Sequence, residues 1–415
     1  MTEIEERKKC QEIRERIIRE LEGESDITDE EIQEYIEEQV LRIGHSGYLS
    51  VEKKEEMMRN IFNSIRKLDV LQEILEDSSI TEVMVNGPDH IFIERNGRLQ
   101  PYSKCFSSQG KLEDVIQQIV GQVNRRVNEA NPIADVRLSD GSRVNVVLPP
   151  VALEGPVVTI RKFPDKPISM DKLLELGSIT TEAARFLEKL VRAKYNIFIS
   201  GGTGSGKTTF LNVLSEYIPK EERIIVIEDA AELQIRGIPN LVRLEVRNAN
   251  VEGKNAVTIR DLIKSALRMR PDRIILGEVR DAAACELLSV MNTGHDGSLC
   301  TGHANSAKDM LSRLETLVLT GMDIPLQAVR SQIASALDIV VHLGRLRDKS
   351  RRVLEIDEVI GMCDGEILLK PLFQFQEEGQ DKDGNVLGRL LRVESGLTHG
   401  EKLQAAGVNC KELYG

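Results

Sequence analysis

Gly201-Gly202-Thr203-Gly204-Ser205-Gly206-Lys207-Thr208 satisfies the pattern G-x-x-x-x-G-K-[ST] in full. Its surroundings agree with it: the apolar run Ile197-Phe198-Ile199 reads as a strand entering the loop, and Thr209 to Tyr217 reads as a helix leaving it. In that context the glycines let successive backbone N–H groups point inward, towards phosphate oxygens at a helix N-terminus. Lys207 adds a full charge near the β- and γ-phosphates, and the Thr208 hydroxyl can ligand Mg²⁺. Gly202, Thr203, Gly204, Ser205, Gly206, Lys207, Thr208 and Thr209 are therefore the candidate nucleotide-binding residues, with ATP and Mg²⁺ as the expected cofactors.

Around this loop, buried-strand patterns alternate with helical ones. Asn196–Ser200, Arg223–Ile227, Arg273–Gly277, Ser298–Thr301 and Leu337–Leu343 are strand candidates, most of them separated by helical segments. That alternation predicts a mostly parallel α/β sheet. In such a sheet the carboxyl ends of the strands open onto one crevice. The run Arg273-Ile274-Ile275-Leu276-Gly277-Glu278 stops there in a carboxylate, so Glu278 can face the γ-phosphate and take a proton from water. Ile224-Ile225-Val226-Ile227-Glu228-Asp229 ends the same way, which makes Glu228 the second candidate. Gly294-His295-Asp296-Gly297 and Thr301-Gly302-His303-Ala304-Asn305 flank a short strand, and His303 is placed to sense the γ-phosphate. The spacing of His295, Cys300 and His303 does not match paired zinc-ligand frameworks.

Upstream the pattern changes. Residues 1–77 read as helical and acidic, with 18 acidic against 10 basic side chains in the first 60. Thr28-Asp29-Glu30-Glu31 fits a capping box. Residues 78–162 read as α+β: Ile80–Val85 and Ile91–Glu94 flank an Asn86-Gly87-Pro88 turn, Leu112 to Val127 carries a helical stripe, and Val136–Leu138, Arg143–Leu148 and Val157–Lys162 are strands. Phe163-Pro164-Asp165-Lys166-Pro167 opens a linker over 163–180, since two prolines interrupt helix and sheet alike. The P-loop domain follows over 181–370, and the polar, glycine-bearing 371–415 reads as a C-terminal appendage.

The 415 residues, 41% of them hydrophobic, suit two to three cored domains at about 100–200 residues each. Aromatics make up 4% with no Trp, and the net charge is −12. These values exclude a uniformly basic, base-stacking nucleic-acid binder. No apolar run approaches the ~20 residues of a membrane span, and the N-terminal stretch has no apolar core of a signal peptide. Six scattered Cys without a CxxC pair fit reduced thiols in the cytoplasm.

Taken together, these motifs resemble the secretion ATPase superfamily. Gly201–Thr209 resembles its Walker A box, Ile225–Leu233 (IVIEDAAEL) its acidic box, Arg273–Asp281 (RIILGEVRD) its atypical Walker B box, and Thr293–Ala307 (TGHDGSLCTGHANSA) its His box. Ile80–Leu99, Asp140–Pro150 and Val157–Phe163 resemble the CpaF family, the tight-adherence (Tad/Flp-type) pilus assembly ATPases, over about residues 60–370. The resemblance implies a RecA-like P-loop ATPase domain preceded by a smaller α+β domain and a helical arm. It also implies a homo-hexameric ring, cytoplasmic and peripheral to the inner face of the cell membrane. Such a ring would act on an inner-membrane platform protein and, through it, on pilin subunits, with no nucleic acid expected. By motif matching, Glu278 is the catalytic acid, Glu228 and His303 sit in the acidic and His boxes, and Arg143 and Arg161 match N-domain arginines that reach the phosphates. The rival reading is a RecA-like nucleic-acid translocating motor, for which the arginine-rich Arg345–Arg352 speaks and the acidic, Trp-free composition does not.

Overall fold

The computed structural model describes residues 12–17, 19–20, 27–44, 50–95, 97–123, 125–163, 167–247, 254–394 and 396–408. Contacts divide the chain into two compact units, Met1–Asp165 and Lys166–Gly415. Of the prolyl hinge expected at Phe163–Pro167, residues 164–166 lie outside the described residues.

The first unit is helical at residues 12–17 and 19–20 and contains the helices Asp29–Gly44 and Val51–Arg66. The capping box forms as expected, with Thr28 N donating to Glu31 Oε2 at 2.8 Å and Glu31 N donating to Thr28 Oγ1 at 3.2 Å. Apolar residues at helical spacing (Ile32, Ile36 and Val40 on one helix, Met57 and Ile61 on the other) share a small core of their own. An antiparallel sheet follows, built from β1 (Ile80–Asn86), β2 (His90–Arg95), β3 (Arg98–Pro101), β4 (Ile133–Arg137), β5 (Arg143–Val147) and β6 (Val157–Arg161) in the order β3-β2-β1-β6-β5-β4. Its core includes Leu112, Val115, Ile116, Ile119 and Val120 from the helix Gln109–Gly121. Leu71 and Ile74, from the end of the expected helical arm, also belong to that core. The helical stripe stops at Gly121, and Val127 is buried beyond the helix.

The second unit is organised around β7 (Ile197–Gly201), β8 (Ile224–Glu228), β9 (Leu241–Glu245), β10 (Arg273–Leu276), β11 (Leu299–His303), β12 (Ile339–Arg345), β13 (Arg351–Cys363), β14 (Glu366–Gln380) and β15 (Val386–Arg392). The sheet order is β15-β14-β13-β12-β7-β11-β10-β8-β9. From β12 to β9 every pairing is parallel, and β13, β14 and β15 add on antiparallel. Alternate residues of the central strands enter opposite cores. Ile197, Ile199, Ile224 and Val226 join one, while Phe198, Ile225 and Ile227 join the other. That two-sided burial is why these strands read as unbroken apolar runs.

Two expected boundaries differ from the structure. The helix Met170–Glu175 places Met170 and Leu173 in the core of the second unit, so 167–180 is not a free linker. Residues 371–392 are not an appendage. They complete β14 and form β15, and Leu372, Phe373, Leu390 and the later Leu403 are buried in the same core. An antiparallel strand with one wet face alternates polar and apolar residues, and in sequence that resembles surface chain. No helix among the described residues is long and apolar enough to cross a membrane.

Candidate nucleotide site

The loop between β7 and the helix Lys207–Ser215 takes the backbone path its glycines predict. Gly206 caps the helix at φ +94°, a left-handed conformation that a side chain disfavours. Ser205 Oγ donates to Gly202 O at 2.9 Å and closes the turn. Lys207 is buried and uses three donors: to Gly201 O at 3.1 Å, to Gly202 O at 2.9 Å and to His303 Nδ1 at 3.3 Å. Burial depresses its pKa, while the Glu278 carboxylate acts in the opposite sense.

His303 arrives because β11 lies beside β7, with His303 opposite Gly201 in register. Its other ring nitrogen, Nε2, is 3.1 Å from Glu278 Oε1. An ammonium can only donate, so Nδ1 accepts from Lys207 and Nε2 carries the proton that Glu278 accepts. The neutral ring satisfies both contacts. Consistently, burial and then the Lys207 charge hold the His303 pKa below its ordinary value. Glu278 Oε2 is held at 2.7 Å by Arg280, which also reaches Asp229 Oδ2 at 3.0 Å. Lys207, His303 and Glu278 thus form a continuous chain at the mouth of the loop, with Arg280 closing its far end.

Glu228 occupies a different environment. It is 3% exposed, and Oε1 accepts from the backbone N–H groups of Glu232 and Leu233, each at 2.8 Å. Burial raises its pKa against those hydrogen bonds. Its Cγ would lie 3.0 Å from a Cβ on Gly277, so the glycine before Glu278 is what allows the two strand ends to close together. The Thr208 hydroxyl, second in the helix that leaves the loop, and the strand-end carboxylates are hard oxygen donors of the kind Mg²⁺ prefers. Arg143 and Arg161 lie in the first unit, opposite one another in register across β5 and β6. Arg143 pairs with Asp135 through contacts of 3.1 and 2.6 Å, and Arg161 Nε donates to Glu82 at 3.0 Å.

Two contributors are not singled out by the sequence reading. Arg280 is one, although its position two residues after Glu278 puts it on the same strand-end turn. Thr301 is the other: it donates to Gly277 O at 2.7 Å and ties β11 to the segment carrying Glu278.

The family model of the type II/IV secretion system proteins matches residues 65–394. The chain belongs to this family. Within the type II/IV secretion relatives, the conjugal transfer protein TrbB of Rhizobium radiobacter is 33% identical over 323 residues, covering 76% of this chain and 96% of that one. The type IV secretion system protein VirB11 of Bartonella quintana is 30% identical over 322 residues, covering 69% and 90%. The pilus retraction motor PilT with bound ADP matches with a TM-score of 0.50 at 17% identity, over 84% of this chain and 88% of that one. The Yersinia pseudotuberculosis ATPase DotB matches at 0.52 and 18%, over 70% and 78%. At these identities the structural likeness is one of fold: an N-terminal domain followed by a RecA-like core.

Proposed function

We propose that the chain is a CpaF-like motor that hydrolyses ATP to drive assembly of a Tad/Flp-type pilus. It would work as a homo-hexamer at the inner face of the membrane, against an inner-membrane platform protein. Membership of the secretion family supports the general reading, and the N-terminal motifs of residues 80–99, 140–150 and 157–163 support the pilus branch.

The observation that carries the catalytic reading is the Lys207–His303–Glu278 chain. Gly202 to Gly206 and Thr209 line the cradle in this reading, and Lys207 exchanges the Gly201 and Gly202 carbonyls for phosphate oxygens. Bound Mg²⁺, held by the Thr208 hydroxyl, would supply charge neutralisation at the phosphates. Glu278 takes the proton of the attacking water, while His303 and Arg280 fix its two oxygens. Glu228 braces the strand end that presents Glu278. Arg143 and Arg161 are assigned in this reading to the developing phosphate charge, for which they would leave Asp135 and Glu82.

Glu278→Gln tests the assignment, because the amide keeps the shape but cannot take the proton. MgATP should still bind while turnover falls by about 10²–10⁴-fold. Turnover within about twofold of wild type would remove Glu278 as the base.

A further inference from the structure

We propose that His342 is a positioning residue for the His303–Glu278 pair: its ring joins Ser200, at the entry to the glycine-rich loop, to Asn305, just beyond His303, and so fixes the segment that carries His303. The proposal rests on reading Glu278 as the base that His303 orients.

The placement follows from strand order. His342 lies on β12 opposite Ser200 of β7, and Ser200 is in turn opposite Gly302 of β11. Ser200 stands two residues after Phe198, and His342 two after Val340. Both side chains therefore enter the core that holds Phe198 and Val340, and both are buried. His342 Nδ1 and Ser200 Oγ are 2.8 Å apart. The ring also forms a hydrogen bond with the Asn305 backbone, one that favours the protonated form. A carbonyl has that effect, so the ring N–H donates to Asn305 O and Nδ1 accepts from the Ser200 hydroxyl. Burial holds the His342 pKa below its ordinary value and Lys207 acts in the same sense, against Glu355 on β13 and Asp309 on the helix Ala307–Gly321. The neutral ring, with one donor and one acceptor, meets both contacts.

A buried polar side chain in an apolar face costs free energy unless its hydrogen bonds are met, and an aliphatic residue would pack there without that demand. What the two bonds join gives them a use. Ser200 directly precedes Gly201, whose carbonyl receives Lys207. Asn305 follows His303 by two residues. Where the β7–β11 ladder ends, the backbone bond between these segments is long, with Ala304 N 3.4 Å from Gly201 O. Opposite His342 on the next strand, Glu355 Oε1 accepts from Ala307 N at 3.2 Å and holds the start of the following helix. The imidazole is thus a strut beneath the Lys207–His303–Glu278 chain. Without it Lys207 keeps its bonds to the Gly201 and Gly202 carbonyls, so phosphate binding is spared while the orientation of His303, and through it of Glu278, loosens.

The experiment is a double-mutant cycle in the full chain, read by steady-state ATPase assays and by calorimetric titration with MgADP. His342→Leu should lower kcat by roughly 5–10-fold with MgADP affinity within about twofold of wild type. His342→Gln, which keeps a donor and an acceptor, should recover most of the loss. In a His303→Ala background the His342→Leu change should cost less than about twofold further, because the residue it acts through is gone. Ser200→Ala, which removes only the hydroxyl, should lower kcat in the same way, and it enters the same cycle if His342→Leu does not fold. Wild-type kcat in His342→Leu, or in Ser200→Ala where His342→Leu does not fold, overturns the proposal. Losses that multiply fully with that of His303→Ala also overturn it, since a merely structural ring acts independently of His303. So does an equal fall in His342→Gln and His342→Leu, or a loss confined to MgADP affinity. Full turnover in Glu278→Gln would instead overturn the reading of the base, and this role with it; slow turnover in Glu278→Gln beside independent His342 and His303 effects overturns the positioning role alone.

Discussion

In the proposed mechanism, replacing His303 separates positioning of the base from binding of the phosphates. His303→Ala removes a neutral acceptor from Lys207 and a donor from Glu278 in one step. Lys207 keeps its contacts to Gly201 O and Gly202 O, so its aim into the cradle survives. Glu278 keeps Arg280 on Oε2 at 2.7 Å but loses the partner that fixes Oε1. A hydrogen bond to a charged group is worth about 1.5–3 kcal/mol, and spent on orienting a base it corresponds to roughly 10–100-fold in rate. We expect steady-state ATPase assays to show kcat reduced by that factor, with nucleotide affinity changed only slightly. The pH profile provides a second readout. The folded-state pKa of His303 is depressed, so the neutral ring is fully present above its ordinary value near 6.5 and is lost as pH falls through the lowered one. Protonation places a cation against Lys207 and removes the acceptor at Nδ1. The associated stability is likewise lost towards acid, because the unfolded chain binds that proton more readily. His303→Asn, whose amide can both donate and accept, should retain more activity than His303→Ala and lack this acid limb. Wild-type turnover in His303→Ala would refute the positioning argument. A loss confined to nucleotide affinity would reassign His303 to binding.

Lys207→Ala should abolish most ATP binding in calorimetry, since the cradle loses the one full positive charge of its motif; near wild-type affinity would sink the loop assignment. If the proposed hexamer holds, Arg161→Ala should leave folding and ring formation intact while suppressing hydrolysis, by up to about 10³–10⁵-fold for an arginine meeting developing phosphate charge. Mixing Arg161→Ala with Lys207→Ala subunits then reports geometry: ATPase activity above either parent means action across a subunit interface, and a wild-type rate for Arg161→Ala alone rejects the role proposed for this arginine.

What is legible in sequence here is what is local. The glycine-rich loop Gly201–Thr208 is contiguous, and its turn depends on glycines that a reader can count. The two-sided apolar strands are likewise contiguous, and Glu278 and Glu228 can be placed because a parallel sheet gathers its strand ends on one side. Strand neighbours carry no such local signal. His303 meets Lys207, 96 positions away, only because β11 inserts between β7 and β10. Arg351 meets Gly204 only because β12 flanks β7 on the other side and then folds back. The strands after residue 371 are hidden for a related reason: one face of β14 and β15 packs on the core through Leu372, Phe373 and Leu390, while the other carries polar residues that look like loop.

In the proposed motor the arginines of the first unit are groups held in reserve. Arg143 and Arg161 stand opposite each other in the sheet, an arrangement that repels unless each charge is answered, and Asp135 and Glu82 answer them. Both pairs are partly exposed, with arginine side chains 38% and 55% accessible. Pairs of this kind contribute only about 0–1 kcal/mol, so releasing an arginine from its acid costs little. A phosphate in a drier cleft competes readily for the same guanidinium, through shorter and stronger charge-assisted bonds. In the proposed cycle the acids thus keep the arginines parked while no phosphate is offered and yield them when one is. Removing a parking acid, as in Glu82→Gln, therefore acts on arginine release, and through it on ATPase rate, in the direction opposite to removing the arginine itself.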